Sequence, residues 1–239
     1  MSNQRFLLDT VPNRFVEVDA ARLLLILVRF ARQPDTTIET LKCRPIHEIV
    51  SYFTPEYYLQ KLDFLLRYPG YFVYELTELY RLGRIGVVDR YEITSIIRSI
   101  LMNNEPELLT TQYRKFWRGA YERLDDVEAW WYGRRLIYTG LEPRKGARPQ
   151  KYYFVSALAL SEAERLVAAV AHGRWYADRI ELIYRFFGSL TPAEIMSLQY
   201  SHPEYRQAQI EGLIPDLSFS EIAAHFTAVF GEPLEFTDE

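Results

Sequence analysis

The sequence predicts a mainly α-helical domain with an embedded two-stranded β-hairpin. Three observations carry this expectation. Apolar residues recur at helical spacing in most of the chain. Residues 134–157 instead alternate, with Ile137 and Thr139 against Leu136 and Tyr138 in one arm and Tyr153 and Val155 against Tyr152 and Phe154 in the other. Gly140, Pro143, Gly146 and Pro149 punctuate the stretch between those arms, while glycine is sparse elsewhere, at 11 residues of 239.

Taken in order, the chain opens with an extended arm. Asp19 then caps a helix whose Leu23, Leu24, Ile26, Leu27 and Phe30 cover enough of its surface to make it central. Residues 35–53 give one or two short helices broken at Pro45. Thr54-Pro55-Glu56 supplies an N-cap, a first-turn proline and an early carboxylate for the next helix, with Tyr58, Leu62, Leu65 and Leu66 on one stripe. Pro69-Gly70 ends it before a second amphipathic run that stops at Gly83. Ile93, Ile96, Ile97 and Ile100 mark a helix from about Arg90 to Met102, so the first half is expected to be all helical.

From Thr111 a longer helix, carrying Tyr113, Phe116, Trp117, Ala120, Leu124, Val127 and Trp131, leads into the hairpin. Ser161 with Glu164 forms a capping box for the helix beyond, and Thr191 with Glu194 forms another. Between them a helix from Tyr176 to Phe187 ends at Gly188. Ser218 or Ser220 caps a last helix, ended by Gly231. Three regions follow: 1–106 helical, 107–172 around the hairpin, and 173–239 with C-terminal helices and an acidic tail. No low-complexity linker separates them, so one continuous domain is equally compatible.

Composition excludes several classes. With 49% apolar and 25% charged residues the chain has ample material for a core. The longest apolar run, Leu23 to Val28, is far short of the roughly 20 residues a membrane span needs, so no membrane partner is expected. The first residues lack a secretory pattern, and Cys43 is the only cysteine, so a cytoplasmic location is expected and an internal disulfide is excluded. His47, His172, His202 and His225 lie far apart in sequence, outside any metal-ligand spacing. Gly83-Arg84-Ile85-Gly86 is not a phosphate-binding loop, and no nucleophile motif is present. No metal, cofactor or catalytic residue is therefore expected.

Charge is uneven. The formal net charge is −4. Residues 111–151 nevertheless hold ten basic residues against five acidic ones, and residues 211–239 hold seven carboxylates with no Lys or Arg. A two-stranded arm can lay Arg144, Lys145, Arg148 and Lys151 along a phosphate backbone while Arg114, Lys115 and Arg118 on the preceding helix approach the adjacent groove, with Arg134 and Arg135 at the base. A solvated hairpin weighs about evenly against this, because Glu122, Asp125 and Asp126 share that helix and repel phosphate. The aromatic runs Trp130-Trp131-Tyr132 and Tyr152-Tyr153-Phe154 can stack on bases, but neighbouring side chains point apart, which favours core packing. The acidic end has a further option, to lie against the basic loop and screen it.

The segment from about Thr111 to Ala171 resembles the winged-helix superfamily: a helix, the strand RLIYTG, a basic loop, the strand KYYFVSA, then LALSEAERL opening another helix. Ser161 and Ala163-Glu164 depart from the Thr-Gly ending of many bacterial winged-helix regulators. The surrounding helices, including LDFLLRYPG and FGSLTPAEIMSLQYSHPEY, are similar to the helical frame of middle subunits of some bacterial multi-protein ATPase defence systems. The fold class is then mainly α, a helical domain with an embedded winged helix carrying the hairpin. The first resemblance implies contact with DNA through helix and wing. The second implies an adaptor whose partner performs the chemistry.

The leading expectation is a non-enzymatic protein that binds DNA or RNA through the nine cations named above. Its alternative is a protein-interaction subunit, recognised by exposed apolar surface without a continuous positive stripe. An enzyme of unrecognised type ranks last. A homodimer is compatible with either, through residues 176–187 or 221–230.

Overall fold

A computed structural model describes residues 16–33, 48–86, 88–104, 113, 115–116, 119–120, 122–210 and 212–235. Ten helices and five strands occur among them. The central element is α2 (Glu56–Arg67), in which every residue from Tyr58 to Arg67 is buried. A helix covered on all sides belongs in the middle of a helical layer. Around it pack α1 (Val16–Phe30), α3 (Pro69–Arg81), α7 (Gly173–Phe187) and α8 (Pro192–Ser201), and α4 (Arg90–Met102) and α10 (Phe219–Phe230) pack on α3. One core cluster runs from Ala20 of α1 to Leu234 beyond α10.

The charged residues of α2 are held inside by one another. Arg22 of α1 clamps Asp63 with two prongs, Nε to Oδ1 at 2.6 Å and Nη2 to Oδ2 at 3.1 Å, and donates a third bond to Asp19 at 2.7 Å. Tyr113 donates its hydroxyl to Asp63, and Arg67 lies 3.5 Å from Asp63 and 3.1 Å from Glu122, over the Tyr113 ring. Burial pushes the Asp63 carboxyl up, but the Arg22 and Arg67 guanidiniums outweigh it and hold the group well below the usual carboxylate range.

Several local expectations are corrected. The first half is not all helical: Ile49–Phe53 forms strand β1, while residues 34–47 lie outside the described ones. Tyr52 also bridges to Arg32, next to the end of α1. The long helix from Thr111 to Trp131 does not form either. Lys115–Phe116 and Gly119–Ala120 pair as a two-strand ribbon, β2 and β3, and only α5 (Asp125–Gly133) is helical. Tertiary hydrogen bonds replace helical ones there, because the Tyr113 N–H donates to Tyr68 Oη at 2.7 Å and the Ala120 N–H to Tyr205 Oη at 2.7 Å.

Thr54 does not cap α2, because its hydroxyl donates to Lys151 O at 2.9 Å and accepts from Gln150 Nε2 at 2.8 Å, tying it to the hairpin. Pro69 and Gly70 open α3 as well as ending the run before them. Helix α1 begins at Val16, so Asp19 lies inside its first turn and not at its cap. The capping boxes of Thr191 with Glu194 and Ser218 with Glu221 are both present. That of Ser161 is not: α6 (Ala157–Ala169) starts earlier on Ser156, whose Oγ accepts from Ala159 N at 3.1 Å, and Ser161 bonds back to Leu158 O within the helix. A short α9 (Pro203–Gln207) follows α8.

Candidate binding surface around the hairpin

The alternating segment forms an antiparallel hairpin, β4 (Ile137–Glu142) and β5 (Gln150–Ser156), in register from Ile137 opposite Val155 to Glu142 opposite Gln150. It is not isolated, as a two-stranded arm would be. β1 pairs with the other edge of β5, giving a three-stranded sheet of order β1-β5-β4. Directly opposed residues share a face. On one face Ile137, Tyr153 and Val155 enter the main core, with Tyr153 edge-on to fully buried Trp131. On the other, Tyr138, Tyr152 and Phe154 form a second apolar cluster with Ile49 and Tyr52. Tyr152, Tyr153 and Phe154 are therefore all packed, one face in each cluster, while of the other run Trp131 is buried, Trp130 half-buried and Tyr132 exposed.

The hairpin divides its cations into three kinds. Lys151 is neutralised: its Nζ lies 2.6 Å from Glu128 Oε1 of α5 and 3.0 Å from Glu56 Oε2 of α2, and Tyr153 donates to the same Glu128 oxygen at 2.9 Å. Burial lowers the Lys151 ammonium, but the bonds to Glu128 and Glu56 outweigh that and raise it overall. Arg135, at a positive φ of 59°, is paired with Glu48, which also accepts the Tyr138 hydroxyl at 2.9 Å. Arg134 is exposed and stacked 3.9 Å over the Trp130 ring.

Arg144, Lys145 and Arg148 stand exposed in the turn between the strands, and none makes an ion pair among the described residues. Arg114 and Arg118 lie outside those residues. Lys115 is placed by its backbone in β2, on a ribbon and not on a recognition helix. The positive stripe is thus interrupted at the hairpin base by fixed carboxylates and survives at its tip.

Beside that base the surface is apolar. Helix α6 follows β5 directly and turns only Ala159 and Ala163 fully inward, with Leu166 and Val167 half-buried. Ala157, Leu158, Leu160, Ala168, Ala169 and the following Val170 are exposed, Leu158 and Val170 each by 50%. Glu48, Arg135, Ser156, Ala157 and Leu158 line an open depression of about 300 Å³. Tyr132, 66% exposed, stands edge-on to Tyr138 on the other side of Arg135.

The acidic end does not reach toward the hairpin within the described residues. Glu232 pairs with Arg90 and Arg98 of α4, at 3.0 and 3.2 Å, and Leu234 is buried. Each of the two helices considered for a dimer turns one face inward, α7 burying Ile180, Ile183, Phe186 and Phe187 and α10 burying Ile222, Phe226 and Phe230.

No group of three or more His, Cys, Asp or Glu is placed to hold a metal ion, and no helix is long and apolar enough to cross a membrane, among the described residues. Sequence spacing did miss one cluster. His202 and His225, 23 positions apart, are both brought against Tyr74, the first edge-on and the second stacked, with His202 near buried Glu75. The available signal was a set of charged residues, Lys61 and Glu75 among them, set into stretches that are otherwise apolar. Comparison with protein-family models, with curated proteins and with solved structures gives no match.

Proposed function

We propose that the chain is a non-enzymatic adaptor that binds a protein partner through the base of its hairpin and the outer face of α6. The observation that carries this reading is the exchange of character along this surface: Lys151 and Arg135 are matched internally at the base, while Leu158 beside the depression, Leu160 and Val170 further along α6, and Tyr132 of α5 are left in solvent. Exposed apolar side chains grouped around a depression and rimmed by charge are the usual composition of a protein-binding patch. A helix, α5, precedes the hairpin and another, α6, follows it, which keeps the element order on which the winged-helix resemblance rests.

The test is affinity capture from the native host after nuclease treatment. A defined protein should stay with the parent chain and be lost from a Leu158→Glu/Leu160→Glu variant. Capture that disappears with nuclease, or that the two substitutions leave unchanged, overturns the adaptor reading.

Nucleic-acid binding is the second reading, favoured by Arg144, Lys145 and Arg148 at the tip. Three unpaired cations within five positions on a projecting turn supply phosphate contacts without base selection. DNA or RNA would then be held by position and charge, with Arg134 on Trp130 as the nearest further contact.

A further inference from the structure

Away from the hairpin, a polar cluster is sealed between α2, α3 and the C-terminal helices. Glu75 of α3 is 1% exposed, and neither carboxylate oxygen has a hydrogen-bond partner among the described residues. His202, 3% exposed at the end of α8, places Nε2 at 3.8 Å from Glu75 Oε1, too long for a hydrogen bond. Lys61 of α2, 1% exposed, donates to Tyr205 Oη of α9 at 2.5 Å. Gln199 of α8, fully buried, donates to Lys61 O at 3.4 Å and leaves its own Oε1 unpartnered.

The outer layer is also titratable. His225 of α10 stacks on Tyr74 at 3.8 Å between centroids, with Nε2 3.7 Å from Glu78 Oε2, and Glu221 of α10 acts on His202 from the same side. Tyr71 meets His202 edge-on at 5.0 Å. Proton-exchanging groups are therefore brought to this region by α2, α8, α9 and α10, three of which belong to the segment from residue 192 onward.

A buried carboxylate with no donor is costly when ionised and tolerable when it holds its proton. We propose that Glu75, with Lys61 and His202 beside it, forms a buried titratable centre that makes the seating of α8, α9 and α10 on α2 and α3 sensitive to pH. With the proton on Glu75 the helices close over a neutral acid. When that proton leaves for solvent, an anion is sealed between α3 and α8 with only Lys61 to oppose it, and the C-terminal helices loosen.

The burial effects run in the same sense. Burial holds the Glu75 carboxyl well above its usual range, lowers the Lys61 ammonium to about 7, and lowers His202 to about 4 with help from His225. A carboxyl raised in the folded state contributes stability that is lost as pH rises from the unfolded value, about 4.3, toward the folded one. Lys61, lowered in the folded state, works oppositely, its cost declining as pH rises from about 7 toward its unfolded value.

Amide hydrogen exchange of the full chain tests this, with Glu75→Gln as a carboxamide that holds a neutral state at every pH. The opening constant of amides in residues 192–230, taken as the ratio of parent to Glu75→Gln, should rise with pH by up to about ten-fold per unit above pH 5, one proton's worth of linkage. Amides of the hairpin should show no such ratio. A ratio unchanged between pH 5 and pH 8, or one that rises equally throughout the chain, overturns the proposal. Should Glu75→Gln fail to fold, the ratio of parent to Lys61→Met in the same amides must fall as pH rises from 7 to 9. A flat or rising ratio overturns it as firmly.

Discussion

Gly70 lies so close to Asp216 that a Cβ at position 70 would come within 2.6 Å of the Asp216 Oδ1 oxygen. Asp216 is the reason this glycine can open a helix. Its carboxylate accepts from Gly70 N at 3.3 Å and from Leu217 N at 2.8 Å, so a residue 146 positions away satisfies the first turn of α3. Burial raises the Asp216 carboxyl to about 6 against those backbone bonds.

Gly70→Ala should therefore destabilise the fold by about 1–3 kcal/mol, although alanine is ordinarily the better helix former by about 1 kcal/mol. Urea midpoints compared with those of the parent measure this. A stabilised variant would show that Asp216 can move aside without cost.

Asp63→Asn should cost about 3–5 kcal/mol, because it removes the buried anion between Arg22 and Arg67 and leaves Asp19 and Glu122 as their carboxylate partners among the described residues. The pH dependence has a definite sign. Asp63 is depressed in the folded state, so its contribution is complete above about pH 4, the unfolded value, and is lost as pH falls below it. Thermal unfolding between pH 5 and pH 2 should show a steep loss in the parent and a shallower one in the variant.

Tyr205→Phe removes the acceptor shared by Lys61 Nζ and the Ala120 N–H. Two buried donors are left unmatched, at about 1–3 kcal/mol each. Loss of exchange protection at Ala120, ahead of the rest of the fold, would locate the effect in the β2–β3 ribbon. Unchanged protection there would assign the ribbon's conformation to its own sequence.

Cations at the hairpin tip and base should separate cleanly. If phosphate is bound at all, an Arg144→Ala/Lys145→Ala/Arg148→Ala variant should reduce the salt slope of polyanion binding by up to about 3, at about 0.9 per phosphate contact. Lys151→Met should leave that slope alone and lower stability instead, because Glu128 and Glu56 lose their shared partner. Equal binding by the triple variant and the parent sets the phosphate reading aside.

Local chemistry was legible mainly where neighbours in sequence are also neighbours in space, although the expected caps at Asp19, Thr54 and Ser161 did not form. The spacing of Ile93, Ile97 and Ile100, the caps at Thr191 and Ser218, the left-handed glycines at positions 83 and 231, and the alternation in β4 and β5 follow from helical and strand periods alone. The stretch from Thr111 to Trp131 also carries a helical period, and it fails because Tyr68 and Tyr205 capture its backbone from other elements. A one-dimensional pattern contains no term for such partners.

By itself, then, the sequence determined the helical character of the chain and the place of its hairpin; that Tyr152, Tyr153 and Phe154 are all buried depends on both faces of the sheet being covered. Only the tertiary structure decided which charges remain available. Glu48, Glu56 and Glu128 come from three separate parts of the chain to neutralise Arg135 and Lys151, whereas Arg144, Lys145 and Arg148 make no ion pair among the described residues. The same holds for Glu75, whose neighbours Lys61 and His202 arrive from either side of it in the chain. Charge is a property of a residue, but its effect depends on distance and on the water excluded around it, and both are set by packing between segments far apart in sequence.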